Sequence, residues 1–257
     1  MYNKKRSALV TGASSGIGKA FAKKLAKDGF FVIISGRRMD ALNNLQKELG
    51  KDCCAVIPAD LSTEKGCIDL YARVKPYNID MLINNAGFGL FGEFTQTSLS
   101  KELEMIDVNI KAMHILFKLF LKDFVKRDSG YILNVASSAG MLPGPLMSTY
   151  YSSKSYVIRQ TQAVREELRR KKSKVCVSVL CPGPVNTNFN NNAGVDRFTI
   201  HSISAEECAE YALKMLKKRR LMIMPTLTVK LLAVAVKVVP AEICAVGAYF
   251  VVSGKKK

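Results

Sequence analysis

Nothing in this 257-residue chain marks a break. It lacks a Pro/Gly/Ser-rich linker, a low-complexity segment and a repeat of fixed period, so with 48% hydrophobic residues it reads as one domain able to bury a large core. The N-terminus, MYNKKRSALVTG, lacks the apolar run of a secretory signal, because a glycine turn follows after a few strand-forming residues. The expected location is therefore the cytoplasm. The seven cysteines (Cys53, Cys54, Cys67, Cys176, Cys181, Cys208 and Cys244) include no CxxC pair and form no metal-like cluster with His114 or His201. This predicts no structural metal, and reduced thiols that serve mostly as small core residues.

Acidic residues are scarce. The 21 Asp and Glu face 39 Lys and Arg, giving a formal charge of +18 and a pI near 9.7. Much of the excess sits in RRKKSK at 169–174, KKRR at 217–220 and the terminal KKK. The first two fall at the ends of helical patterns, where cations interact favourably with the helix dipole. No zinc-finger spacing or aromatic-studded RNA-binding motif accompanies them, so no specific nucleic-acid partner is expected, only a general attraction to anions.

Short apolar runs do occur, alternating with longer helical patterns. The runs are SALVT (7–11), FFVIIS (30–35), CCAVIP (53–58), DMLINN (80–85), YILNVA (131–136), VCVSVL (175–180) and LMIMP (221–225). Segments such as GKAFAKKLAKDG and MDALNNLQKELG lie between them, with apolar residues at helical spacing and a closing glycine. Strands apolar on both faces and separated by helices imply a parallel sheet covered on each side, a doubly wound α/β fold.

After the first run comes TGASSGIGKA, with Gly12, Gly16 and Gly18 at the turn into a helix. Glycines there let backbone approach a pyrophosphate, which rests on the N–H groups and positive dipole end of that helix. The second run ends ISGRR, with Gly36 where an acid would select NAD, and Arg37 and Arg38 following. Arginine suits a 2′-phosphate, so the expected cofactor is NADP(H), with Arg37 making the contact. Asp60, in PADLS, is placed either to accept from an adenine amino group or to cap the next helix. In TYYSSKSY (149–156), Tyr150 lies four residues before Lys154, so a helix puts both on one face. Tyr151 and Tyr156 point elsewhere. A nearby ammonium favours phenolate and moves a phenol's pKa down from about 10.

These residues resemble the short-chain dehydrogenase/reductase family over roughly 5–225. The resemblance rests on TGASSGIG (11–18), NNAG (84–87), VN (108–109), NVASSAG (134–140), YSSK (151–154) preceded by Tyr150, and PGPVNT (182–187). It implies a Rossmann-type parallel sheet of about seven strands with helices on both faces, and a catalytic set of Asn109, Ser137, Tyr150 and Lys154. Ser137 rather than Ser138 matches the family's serine, thirteen residues before the tyrosine. In that scheme Ser137 and Tyr150 hold the reacting oxygen, Tyr150 exchanges its proton, Lys154 lowers the phenol's pKa, and Asn109 orders a water leading from Lys154 to solvent. The resemblance further implies that the dinucleotide is held by Gly12, Ser14, Ser15, Gly16, Ile17, Gly18, Arg37, Arg38, Asp60, Leu61, Asn85, Ala86, Gly87, Tyr150, Lys154, Pro182, Gly183, Val185 and Thr187. Asn84 and Asn85 also admit a purely structural reading as sheet-end residues.

Residues 186–203 fall where the family carries a mobile substrate lid. Phe189, Phe198 and Ile200 give it an apolar underside, with Met141, Leu142 and Met147 across the cleft. Such a pocket suits a bulky hydrophobic ketone or alcohol, a hydroxysteroid or bile acid ahead of a 3-oxoacyl thioester. A non-catalytic NADP(H) sensor is the reading from another class, disfavoured by the intact four-residue set. The family pattern fails after residue 225, which puts the common tetramer in doubt within an expected homo-oligomer (dimer or tetramer). The apolar, basic extension 226–257 predicts two short helices, because its longest uncharged stretch, 243–254, falls short of the roughly twenty residues of a transmembrane helix. They are expected to cover the substrate mouth, form a dimer contact or, ranked last, lie weakly on an anionic membrane. Lys230 and Lys237 are read as two turns apart on one helical face.

Overall fold

The computed structural model describes residues 6–187 and 202–253. Its middle layer is a parallel sheet of seven strands: β1 (Ser7–Thr11), β2 (Phe31–Ser35), β3 (Cys54–Val56), β4 (Met81–Asn84), β5 (Tyr131–Val135), β6 (Cys176–Leu180) and a later strand, Met222–Ile223. The strand order is β3-β2-β1-β4-β5-β6, with Met222–Ile223 outermost beside β6. Each apolar run read from the sequence supplies one strand. Burial on both faces is what allows this: every residue of β1 and β6 is buried. The two edge strands, of three and two residues, are the shortest in the sheet, which limits edge-to-edge pairing.

Helices cover both faces. On one, α1 (Gly16–Lys27) and α2 (Met39–Leu49) contribute Phe21, Leu25, Leu42 and Leu45 to a buried cluster. On the other, α3 (Glu64–Val74) contributes Leu70 and Val74. A long helical run follows there: α4 (Leu99–Ile106), a π-helical segment (Asp107–Ala112) and α5 (Met113–Lys126) continue with right-handed helical backbone at both junctions. The 23-residue α6 (Ser148–Arg170) packs beside it. The chain leaves β3 at one edge and re-enters at β4 on the far side of β1. A crevice therefore opens at the carboxyl ends of β1 and β4, where such sheets bind ligands.

Beyond β6, β7 (Val185–Asn186) pairs with β8 (Ile203–Ser204) and brings together the two ends of the predicted lid. Phe189, Phe198 and Ile200 lie outside the described residues. The next helix, α7 (Ala205–Lys217), starts at a capping box: Ser204 Oγ accepts from the Glu207 N–H at 3.1 Å while the Glu207 carboxylate accepts from the Ser204 N–H at 2.8 Å. After β9 (Met222–Ile223) come two short helices, α8 (Leu227–Ala235) and α9 (Ala241–Ser253), separated by Pro240 as expected. One expectation fails here. Helix α8 is capped at Val236, so Lys237 lies past its end and does not share a helix with Lys230.

Candidate active site

The glycine turn is shaped by contacts that a side chain would destroy. A Cβ on Gly18 would stand 2.3 Å from the Gly12 carbonyl oxygen and 2.6 Å from Asn85 Nδ2. Asn85 ties the two sheet ends together: its Nδ2 donates to the Thr11 carbonyl at 2.9 Å, and the N–H groups of Asn85 and Ala86 donate to Thr11 Oγ1 at 2.9 and 3.0 Å. Asn84 donates to the Met113 carbonyl at 2.9 Å and to Asn134 Oδ1 at 3.3 Å, so it braces β4 against β5 and α5. Ser15 precedes α1 without capping it through its side chain, leaving the first-turn N–H groups and positive end of α1 toward the crevice.

Helix α6 presents Tyr150 and Lys154 together, both buried. Ser137, at the end of β5, hydrogen-bonds the Tyr150 phenol, and its Oγ accepts from the Ala139 N–H at 3.1 Å. Ser138 instead donates its N–H to the Pro182 carbonyl at 2.8 Å, supporting the loop. Lys154 Nζ donates to the Val135 carbonyl at 3.1 Å and stands 5.8 Å from the centre of the Tyr150 ring. Burial raises the Tyr150 pKa to about 12, opposed by the Ser137 hydrogen bond, and burial lowers Lys154 to about 8. The expected net lowering of the phenol's pKa is therefore corrected for the protein alone, where burial raises it. Desolvation outweighs the Ser137 hydrogen bond, which acts in the opposite direction.

Asn109 sits in the π-helical segment, a form that recurs at functional sites. It is buried, accepts from the Phe88 N–H at 3.0 Å, and donates to the Phe88 carbonyl at 2.9 Å and Ser153 Oγ at 3.1 Å. Gly87 lets the loop press against it, since a Cβ there would lie 2.8 Å from Asn109 Oδ1 and 3.1 Å from Lys154 Nζ.

A cavity of about 560 Å³ joins these parts. Gly12, Ser15, Gly16, Ile17, Gly18, Asn85, Ala86, Gly87, Ser137, Tyr150, Lys154, Pro182, Gly183, Val185 and Thr187 line it, as do Leu142 and Met147. Met141 does not; it packs against the core cluster under α5 and α6. Leu61 is likewise a buried core residue of that cluster. Asp60 accepts from the Ser62 N–H (3.0 Å) and hydroxyl (2.8 Å), which holds its carboxyl below the ordinary value, while Thr63 caps α3; the helix-cap reading of Asp60 fails. Arg37 pairs with Glu104 at 2.7 Å, and it is Arg38 that reaches the glycine turn, 3.3 Å from Ser14 Oγ. Tyr156 points away, toward His114 Nδ1 at 2.7 Å.

The sequence reading missed two residues of the wall, Tyr151 and Phe88, and named no residue of the extension that it expected to cover the mouth. Tyr151 lines the cavity, its ring 6.2 Å from that of Tyr150, instead of pointing elsewhere. Phe88 follows the NNAG loop into it. The extension contributes Leu232 and Val236 from α8 and its cap, and Cys244, Gly247, Ala248 and Val251 from α9. That last set has the i, i+3, i+4, i+7 spacing of one helical face, a signal present in the sequence.

Comparison with known proteins agrees with this geometry. The profile of the family described as short chain dehydrogenase matches residues 6–197. An uncharacterized oxidoreductase of Staphylococcus epidermidis is 32% identical over 213 residues, covering 82% of this chain and 91% of that protein. A short-chain dehydrogenase from Sphingobium yanoikuyae, solved in complex with NADPH, superposes with a TM-score of 0.83 at 26% identity, over 98% of this chain and 96% of that one. The bulky-bulky ketone specific alcohol dehydrogenase from Comamonas testosteroni gives a TM-score of 0.78 at 27% identity, over 88% of each chain.

Proposed function

The chain belongs to the short chain dehydrogenase family, and from that premise we propose that it is an NADP(H)-dependent oxidoreductase interconverting a ketone and a secondary alcohol on a bulky apolar substrate. The observation that carries this reading is the meeting of Ser137 with the buried Tyr150 and Lys154 at one cavity whose other walls include Leu142, Met147, Leu232 and Val236. The NADPH of the Sphingobium neighbour and the bulky ketones of the Comamonas enzyme support the same reading.

The residues present fit a nicotinamide dinucleotide. The Gly18 contacts leave bare backbone at the turn, and Ser15, Gly16, Ile17 and Gly18 bring the start of α1 to the cavity wall. When bound, that cofactor supplies or takes up the hydride. Ser137 and Tyr150 donate hydrogen bonds to the substrate oxygen on which negative charge grows. Tyr150, neutral at pH 7 with its pKa near 12, already carries the proton that reduction delivers. Lys154, charged at neutral pH, stabilises the phenolate left behind, and Asn109 fixes the Phe88 backbone and Ser153 around it.

NADP(H) preference rests on Arg38 beside Ser14 and on the absence of an acid at Gly36. The exposed Arg37–Glu104 pair is weak enough to exchange for a phosphate. The test follows NADPH absorbance with steroid, acyl-thioester and sugar ketones. Steroid-like ketones are expected to turn over fastest, and Tyr150→Phe to lower kcat about 100- to 10,000-fold while leaving NADPH affinity intact. Tight NADPH binding without turnover of any ketone rejects the enzymatic reading in favour of a sensor.

A further inference from the structure

We propose that the outer face of α8 and α9 is a docking surface for an anionic lipid bilayer. The inner sides of the two helices line the cavity, and Val252 is buried against Met105, Met147 and Tyr150. Their outer sides are equally apolar and uncovered. Leu227, Leu231 and Val234 on α8, Val238 in the turn, and Ile243 and Phe250 on α9 are each more than 60% exposed. Helices apolar on every side are not stable facing water alone, and a contiguous patch of this kind marks an interaction site.

Three observations select the occupant. No helix among the described residues is long and apolar enough to cross a membrane, so this face meets its partner side-on. The extension 226–257 carries Lys230, Lys237, Lys255, Lys256 and Lys257 against one acid, Glu242, within a chain of charge +18. A second copy in a two-fold contact would set this cationic stretch against its own image, whereas anionic headgroups complement it. The cavity's rim also lies on α9: Val251 lines it while remaining 47% exposed, and Gly247 beside it is both lining and exposed. An apolar ketone dissolved in the bilayer then reaches the site without crossing bulk water. That last consequence rests on the substrate reading above; the docking itself does not.

The experiment sediments the full-length protein with phosphatidylcholine vesicles, with and without phosphatidylglycerol, and needs no turnover. Binding to the phosphatidylglycerol vesicles is expected, weakened about 30-fold in Lys230→Gln/Lys237→Gln, since each lysine near an anionic surface contributes about 1 kcal/mol. Leu231→Glu/Phe250→Glu is expected to abolish sedimentation with an unchanged, cooperative thermal unfolding transition, because both side chains are exposed in the folded chain. Protein that stays in the supernatant with both vesicle types overturns the proposal. So does Leu231→Glu/Phe250→Glu sedimenting like the parent. A dimer in solution that this variant splits assigns the face to a second copy and overturns it as well.

Discussion

At the scale of single residues, the site is governed by what burial does to charge. Tyr150 keeps its proton through the neutral range because burial disfavours its phenolate, and Lys154 holds its charge only up to about pH 8 because burial disfavours its ammonium. If, as proposed, the cationic lysine stabilises the phenolate left on Tyr150, kcat/KM for reduction is expected to be level below about pH 8 and to fall above it. A pH–rate profile of the free enzyme checks this, and Lys154→Gln is expected to remove the falling limb. At the glycine turn, Gly18→Ala forces a Cβ to 2.3 Å from a carbonyl oxygen. A loss of about 1–3 kcal/mol, measured by denaturant unfolding, is expected together with weakened cofactor binding by titration. Removing the Arg38 guanidinium costs a charge-assisted contact of about 1.5–3 kcal/mol, so Arg38→Ala is expected to lower kcat/KM with NADPH about 10- to 100-fold and to leave NADH nearly unaffected. Arg37→Ala, starting from a residue paired with Glu104, is expected to change it less.

At the scale of elements, two features decide the shape of the cavity. The π-helical segment between α4 and α5 carries Asn109, which clamps the Phe88 backbone, and the inner face of α9 closes the opposite wall. That wall is built from small residues, and a Cβ added at Gly247 meets nothing within 4 Å. Gly247→Leu is therefore expected to fill space without strain, and to hold or raise stability, since a mid-helix glycine costs up to about 1 kcal/mol. Steady-state kinetics are expected to show kcat/KM for bulky ketones falling while small ketones are unaffected. The strands and the α6 pairing were legible in the sequence because a doubly buried strand must be apolar throughout and a helix turn fixes the Tyr150–Lys154 spacing. The π-helical backbone was not, because the one-residue phase shift it makes in the hydrophobic pattern is too slight to read across a segment of six residues. Met141 misled for a related reason: methionine suits a core gap as readily as a pocket, and here it fills the core.

At the scale of the molecule, charge dominates. Of the eight ion pairs among the described residues, all but Lys24–Asp28 have at least one exposed side chain, and such pairs contribute little. Repulsion within a chain of net charge +18 acts over longer distances and opposes the compact state. Moderate sodium chloride is therefore expected to raise the melting temperature, which a scan in low and high salt measures; a fall would mean that the ion pairs outweigh the repulsion.

The sequence by itself determined the sheet, its helical covers, the glycine turn and the Ser137, Tyr150 and Lys154 set that meets at the cavity. Each of these depends on local patterns: apolar runs, helical spacing and short motifs of fixed length. Only the tertiary structure decided that Arg38 rather than Arg37 sits at the glycine turn, that burial raises the Tyr150 phenol's pKa against the Ser137 hydrogen bond, and that α8 and α9 complete the cavity. These outcomes turn on which groups meet across the fold and how much water each one loses, and neither quantity is written in the spacing of residues along the chain.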